Sequence, residues 1–278
     1  SLLSSSITQV NVIISATFVT LFRSPGSVNA FNMADTTWQM PYGIFAQGIG
    51  IAILPTLSAK YAVGDLKDYK DILNKGLKSI LLLSIPSALG LVVLSEPIIK
   101  TIFQWSSEFH PEYVTLASSI LMFFSVALIT QSIVATMSRA FYAVNDTKSP
   151  LYVGASTILF NLAISYLFYR YTSLGVAGMA LAYSITSTVN AIILVVMLNK
   201  KINGIYLKSF FVFFLKTLLA SAVMGVSVLL LAFILDFDTA SKLLQILYLI
   251  VTISAGAVIY FAAVCLLRVE EAVRIYET

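Results

Sequence analysis

One cysteine and one histidine in 278 residues exclude several kinds of chemistry at once. Cys265, in the apolar run VIYFAAVCLLR, has no partner for a disulfide within the chain. With His110 alone in the connection EFHPEY, no Cys/His metal centre can be assembled either. Charge is scarce: 11% of residues are Asp, Glu, Lys or Arg, whereas soluble domains carry about 25%. A chain that is 59% hydrophobic, with mean hydropathy +0.92, lacks the polar surface to cover itself in water. Its solvent must largely be lipid. A net charge of +4 is modest, and its placement reflects sidedness rather than a nucleic-acid footprint, so no nucleic-acid partner is expected. The first apolar stretch is not expected to be a signal peptide, because no basic n-region or small-residue cleavage site accompanies it. That stretch begins almost at Ser1, which reads as the continuation of a longer product.

What is present is a series of apolar segments, at about 2–22, 30–57, 77–103, 113–143, 150–170, 174–198, 208–235 and 243–267. Each is long enough for a membrane-crossing helix, which needs roughly 20 residues. The expected fold is therefore all-α, a polytopic membrane protein of about eight transmembrane helices. Pro41, Pro86 and Pro97 fall inside spans, where they are tolerated if neighbours satisfy the carbonyls they free. Between the second and third spans, Leu66, Tyr69, Leu73 and Leu77 recur at helical spacing opposite lysines and aspartates. This pattern predicts an interfacial helix on the membrane surface.

Positive charge orients the spans. With the chain starting in the cytoplasm, Lys60, Lys67, Lys70, Lys75, Lys78, Arg139, Lys148, Lys200, Lys201, Lys208, Arg268 and Arg274 fall on the cytoplasmic side. Only Arg23, Lys100, Arg170 and Lys242 fall outside, and Lys216 lies within a span. Both ends are expected in the cytoplasm.

Three spans carry polar stripes. On the first, Ser4, Thr8, Asn11 and Ser15 share a face, with Ser5 and Gln9 beside it. On the second, Asn29, Asn32, Thr36, Gln39, Gly43, Gln47 and Gly50 follow spacings of three and four, with Asp35 on the shoulder. On the fifth, Gly154, Thr157, Asn161 and Ser165 do the same. Such stripes either join helices to one another or line a hydrated cavity, since an unpaired polar group facing lipid is costly. For the fifth span both readings stand. The second has two Asn, two Gln and an ionisable Asp, which favours a cavity. Amides, hydroxyls and glycines suit a sugar or other polyhydroxyl headgroup better than a bare ion. No serine has a base partner and no span gathers His, Asp and Glu, so neither an enzyme nor a resident cofactor is expected.

The stretch GSVNAFNMADTTWQMPYGIFAQGIGIAILPTLS, residues 26–58, resembles the signature of the MurJ/MviN family of bacterial lipid II flippases. IPSALGLVVLSEPIIKTIF at 85–103 is similar to the family's next helix. RAFYAVNDTKSP at 139–150 resembles its cytoplasmic turn, and Asn161 and GVAGMALAYS fit the helices that follow. The resemblance implies a fourteen-helix parent of the multidrug/oligosaccharidyl-lipid/polysaccharide exporter superfamily, with two six-helix lobes and two final helices that form a groove for the lipid tail. This chain then corresponds to helices seven to fourteen: the second lobe at 1–200, and the additional pair with a cytoplasmic tail at 201–278. The implied partners are a polyprenyl-pyrophosphate-linked precursor, the bilayer and the N-terminal lobe of the same protein. The implied place is the bacterial inner membrane, and the implied process is peptidoglycan and cell-wall biogenesis, which sets cell shape.

On this reading Asn29, Asn32, Asp35, Thr36, Gln39 and Gln47 line the headgroup's path, while Pro41, Gly43, Gly48 and Gly50 allow close packing or bending. The sequence departs from the family at two places. Where the family has an arginine after Ala-Asp, this chain has Thr36, and Arg23 is the nearest substitute. Where cation-coupled members place carboxylates, on the helices matching the first and fifth spans, this chain has Asn11, Ser15, Asn161 and Ser165, a cation site or polar network without an acid. Other readings are an exporter of another lipid-linked oligosaccharide or of a small organic cation, and a membrane scaffold that transports nothing.

Overall fold

The computed structural model describes residues 2–22, 26–105, 111–235, 237 and 241–269, with the side chains of 2–8 and 207–208 left aside. Among them every regular element is helical. α1 is Leu2–Leu21, and α2 (Ser27–Pro41) runs through a π-helical segment (Tyr42–Ile49) into α3 (Gly50–Ala62). α4 (Leu66–Val93) and α5 (Ser95–Phe103) follow, then α6 (Pro111–Ala143), α7 (Lys148–Tyr171), α8 (Ala177–Lys201), α9 (Leu207–Ile234) and α10 (Lys242–Leu266). Seven helical runs, α2–α3 counted as one of 36 residues, are long and apolar enough to cross a membrane. The eighth expected span is α1, 20 residues long, with an apolar stretch at Gln9–Leu21. His110 and Arg274 lie outside the described residues.

α6 is the central helix and packs against α2, α3, α4, α5 and α8. α7 lies between α1 and α8, while α9 packs on α4 and α10 on α9 and α5. Small residues allow the last pair to approach closely: a Cβ at Gly256 would come 2.7 Å from Val228 Cγ2. Pro86 lacks the N–H that would bond the carbonyl four residues back, and in α4 that carbonyl belongs to Leu82. The hydroxyl of Tyr260, from α10, donates to it. The proline in α4 thus creates the acceptor that fixes α10 in place.

The amphipathic segment predicted to lie on the membrane surface does not do so. It forms the first turns of α4, continuous with the span. Its apolar face is covered by protein except at Leu66, which is exposed: Tyr69, Leu73 and Leu77 are buried, and Tyr69 Oη donates to Ala140 O of α6 at 2.7 Å. At 28 residues α4 is about 42 Å long, longer than the roughly 30 Å hydrocarbon layer, so its charged turns project beyond it.

Several connections at one end of the bundle are held by charged side chains. Gly64 turns the chain at φ 75°, Asp65 caps α4 by accepting from Asp68 N–H, and Lys60 pairs with Asp68. Lys70 Nζ donates to Asn203 O after α8 at 2.9 Å. Lys216 Nζ reaches Arg268 O after α10 at 3.4 Å. Before α7, Asp146 accepts from Ser149 N–H at 2.9 Å, from its hydroxyl at 2.7 Å and from Lys201 Nζ at 2.6 Å. Burial acts to raise the Asp146 carboxyl, but the Lys201 and Ser149 hydrogen bonds outweigh it and hold the group at about 2. A depressed carboxylate stabilises the fold above its unfolded value, and this contribution is lost as pH falls through about 2. Asp146→Asn keeps the cap and loses the ion pair, whose lysine is 40% exposed and so screened. Melting at pH 7 should show a loss below about 1 kcal/mol. The gap to wild type should close as the pH approaches about 2.

Candidate substrate path

α2 has two faces, and the buried one sets the direction of the other. Phe31 and Trp38 are buried and meet Phe124 of α6, with Trp38 stacked on it at 5.8 Å and Phe31 edge-on at 5.3 Å. Tyr183 of α8 closes the cluster, edge-on to Phe124 at 5.7 Å, and its hydroxyl accepts from Gln131 Nε2 at 2.8 Å. Large aromatic side chains packed in this way fix the rotation of the helix that carries them. The rotation leaves Asn29, Asn32 and Thr36 exposed along the opposite side. Asp35 stands at the border, half-buried, where its two oxygens accept from Trp38 Nε1 at 3.0 Å and Gln39 Nε2 at 2.7 Å. The carboxylate is therefore oriented by its own helix, between the aromatic core and the polar face.

Beyond Pro41 the hydrogen-bond register changes to the wider π-helical one for eight residues. Gln47 lies within it with both ends of its amide engaged: Nε2 donates to Tyr42 Oη at 2.8 Å, and Oε1 accepts from Arg139 Nη2. Arg139, on α6, also donates from Nη1 to Ala46 O at 3.0 Å. Its guanidinium lies over Gly50, where a Cβ would come 2.0 Å from Nη1. Sequence reasoning counted Arg139 only as a cytoplasmic charge. The signal was its place at the head of RAFYAVNDTKSP, but nothing in a linear pattern says that α6 carries it to residues 46–50.

The stripes of α1 and α7 meet each other. Asn161 Nδ2 donates to Asn11 O at 3.0 Å, Ser165 Oγ donates to Asn161 Oδ1 at 3.4 Å, and Ser15 is buried in the same seam. Thr157, also buried, turns its hydroxyl back to Gly154 O. Arg23 lies outside the described residues.

On another side of the α2–α3 run is an apolar cavity of about 390 Å³. Pro41 and Phe45, Pro86 of α4, Met224 of α9 and Gly256 and Tyr260 of α10 line it. Its walls offer little hydrogen bonding and suit a hydrocarbon chain. One helical run thus carries amides and hydroxyls on one face and, a turn or two on, part of the wall of an apolar pocket.

The class this fold and site define is a polytopic helical membrane protein with a polar helix face beside an apolar cavity. The family model described as "Lipid II flippase MurJ" matches residues 1–249, and the chain belongs to that family. A probable lipid II flippase from Haemophilus influenzae is 28% identical over 96% of this chain and 52% of the relative. One from Buchnera aphidicola is 31% identical over 81% of this chain and 43% of the relative. The solved structure of a lipid II flippase in an inward closed conformation matches with TM-score 0.77 and 26% identity, over 95% of this chain and 52% of that one. A MOP superfamily transporter from Pyrococcus furiosus shares the fold, with TM-score 0.60 at 16% identity over 97% of this chain and 64% of that one. The chain spans about half the length of the curated relatives it matches.

Proposed function

We propose that the full-length protein moves an undecaprenyl-linked peptidoglycan precursor, lipid II, from the inner to the outer leaflet of the bacterial inner membrane, and that this chain supplies one wall of the headgroup's path and the seat for the lipid tail. The observation that carries this reading is the α2–α3 run, with Asn29, Asn32 and Thr36 exposed on one side and Pro41 and Phe45 against the apolar cavity on another. A lipid-linked sugar needs both environments, a polar one for the headgroup and an apolar one for the chain. The headgroup enters from the cytoplasmic side, the tail stays in apolar surroundings, and rocking of two lobes exposes the headgroup on the far side without any covalent step.

Within this scheme residues 1–200 form the second lobe, and 201–278 the pair of helices that closes the tail cavity. The remaining half of the full-length protein forms the facing lobe. Both ends of this chain lie in the cytoplasm, a placement supported by the excess of lysine and arginine in the connections at that end. The seam of Asn11, Ser15, Asn161 and Ser165 acts as a polar joint between α1 and α7, because neither helix carries an acid. Thr36 offers a hydroxyl where a pyrophosphate would favour a guanidinium, which keeps a second reading in view: export of another lipid-linked oligosaccharide by the same route.

Replacing Asn29, Asn32 and Thr36 together by leucine tests the path. These side chains are exposed, so the variant should insert and accumulate normally yet fail to support flipping. Flipping at the wild-type rate would remove the α2 face from the path.

A further inference from the structure

The π-helical segment is unusual in length. Most π-helical turns are single bulges, whereas this one covers eight residues, Tyr42–Ile49. Its glycines have separate roles. Gly50 is required sterically, since Arg139 occupies the space of any side chain there. Gly43 and Gly48 are not, because a Cβ on either would meet no atom within 4 Å. Each lowers helix stability by roughly 0.5–1 kcal/mol relative to alanine. No side chain of this half packs on them, and what they provide within it is backbone freedom next to a proline that already lacks one hydrogen bond.

Arg139 acts on this loosened stretch from outside. Ala46 O receives Gly50 N–H four residues on, the bond at which the α register resumes, and also Arg139 Nη1 from α6, while Gln47 is held between Arg139 and Tyr42; Arg139 thus grips the end of the π segment. We infer that Arg139 is a positioning residue that holds residues 42–49 in the π register, and that this segment is a register switch in the transport cycle. Loss of the extra residue that an i→i+5 turn carries rotates everything beyond it by about 100°, one residue's share of a 3.6-residue turn. The Gly50–Ala62 half then turns against the Asn29–Gln39 face. Pro41 and Phe45 border the apolar cavity, so the switch lies between the two environments a lipid-linked sugar would occupy. The switch's part in transport rests on the flippase reading above, but its existence does not.

The test is thiol labelling of the full-length protein in its own membrane, with Cys265 and any other native cysteine replaced. Leu57 is fully buried on α3 and Ala30 fully buried on α2. Arg139→Gln should raise maleimide labelling of Leu57→Cys by at least about tenfold, the shift that follows from losing one charge-assisted hydrogen bond. Ala30→Cys should stay unlabelled. Flipping should fall by a similar factor, with Arg139→Lys, which can still reach Ala46 O, in between. If Arg139→Gln fails to accumulate, Gly50→Ala decides, because its methyl displaces the guanidinium while Arg139 remains. Unchanged Leu57→Cys labelling in both variants, or changed labelling with flipping at the wild-type rate, overturns the inference. A wild type that flips no lipid II counts against the flippase reading alone, since the labelling comparison needs no substrate.

Discussion

Asp35→Lys should abolish flipping while leaving the protein in the membrane at normal abundance. The carboxylate accepts from Trp38 Nε1 and Gln39 Nε2, so its loss leaves two donors unpaired at the edge of the aromatic core. The lysine would also place a cation beside Asn32, Thr36 and Gln39 where the native helix holds an acid. Rotation of α2 is fixed by the stacking of Trp38 on Phe124, which the substitution leaves in place, so insertion and packing should survive. Asp35→Asn should retain a substantial part of the activity, because its carbonyl oxygen can still accept from Trp38. Initial flipping rates at matched protein levels check both variants. Normal flipping by Asp35→Lys would take Asp35 out of the path.

The second large effect is expected at the apolar cavity. Ala257 lines it from α10, and Ala257→Trp would direct an indole into space that is empty of protein. Filling a cavity without displacing neighbours stabilises rather than strains, so the melting temperature should stay level or rise. Flipping should nevertheless be lost, because the lipid tail has no seat. A rise in stability with loss of transport distinguishes occlusion from misfolding. Transport at the wild-type rate would mean that the tail does not use this cavity.

How much of this was legible in the sequence differs from one residue to the next. Apolar length gave the spans, because the bilayer allows few other solutions, and Pro86 was readable as a proline whose freed carbonyl needs a partner. That the partner is Tyr260, 174 residues further along, was not readable, since periodicity says nothing about which helices meet. The same gap explains the misplaced surface helix. The spacing of Tyr69, Leu73 and Leu77 declares an apolar face but not whether lipid or α6 covers it. The stripes on α1 and α7 were visible separately, while their meeting through Asn161 and Asn11 depends on the tertiary fold. Pro41 and its glycines signalled bending, but neither the π register nor the reach of Arg139 to Ala46 and Gln47 could be read from a charge count that assigns Arg139 to the cytoplasmic surface.

We propose that the full-length protein carries lipid II across the membrane. The most direct measurement is depletion of the native protein in its own cells, followed by assay of precursor in each leaflet. Lipid II should disappear from the outer leaflet and accumulate inside, despite Thr36. Continued delivery to the outer leaflet, with no other flippase compensating, would contradict it and make a different lipid-linked sugar the cargo.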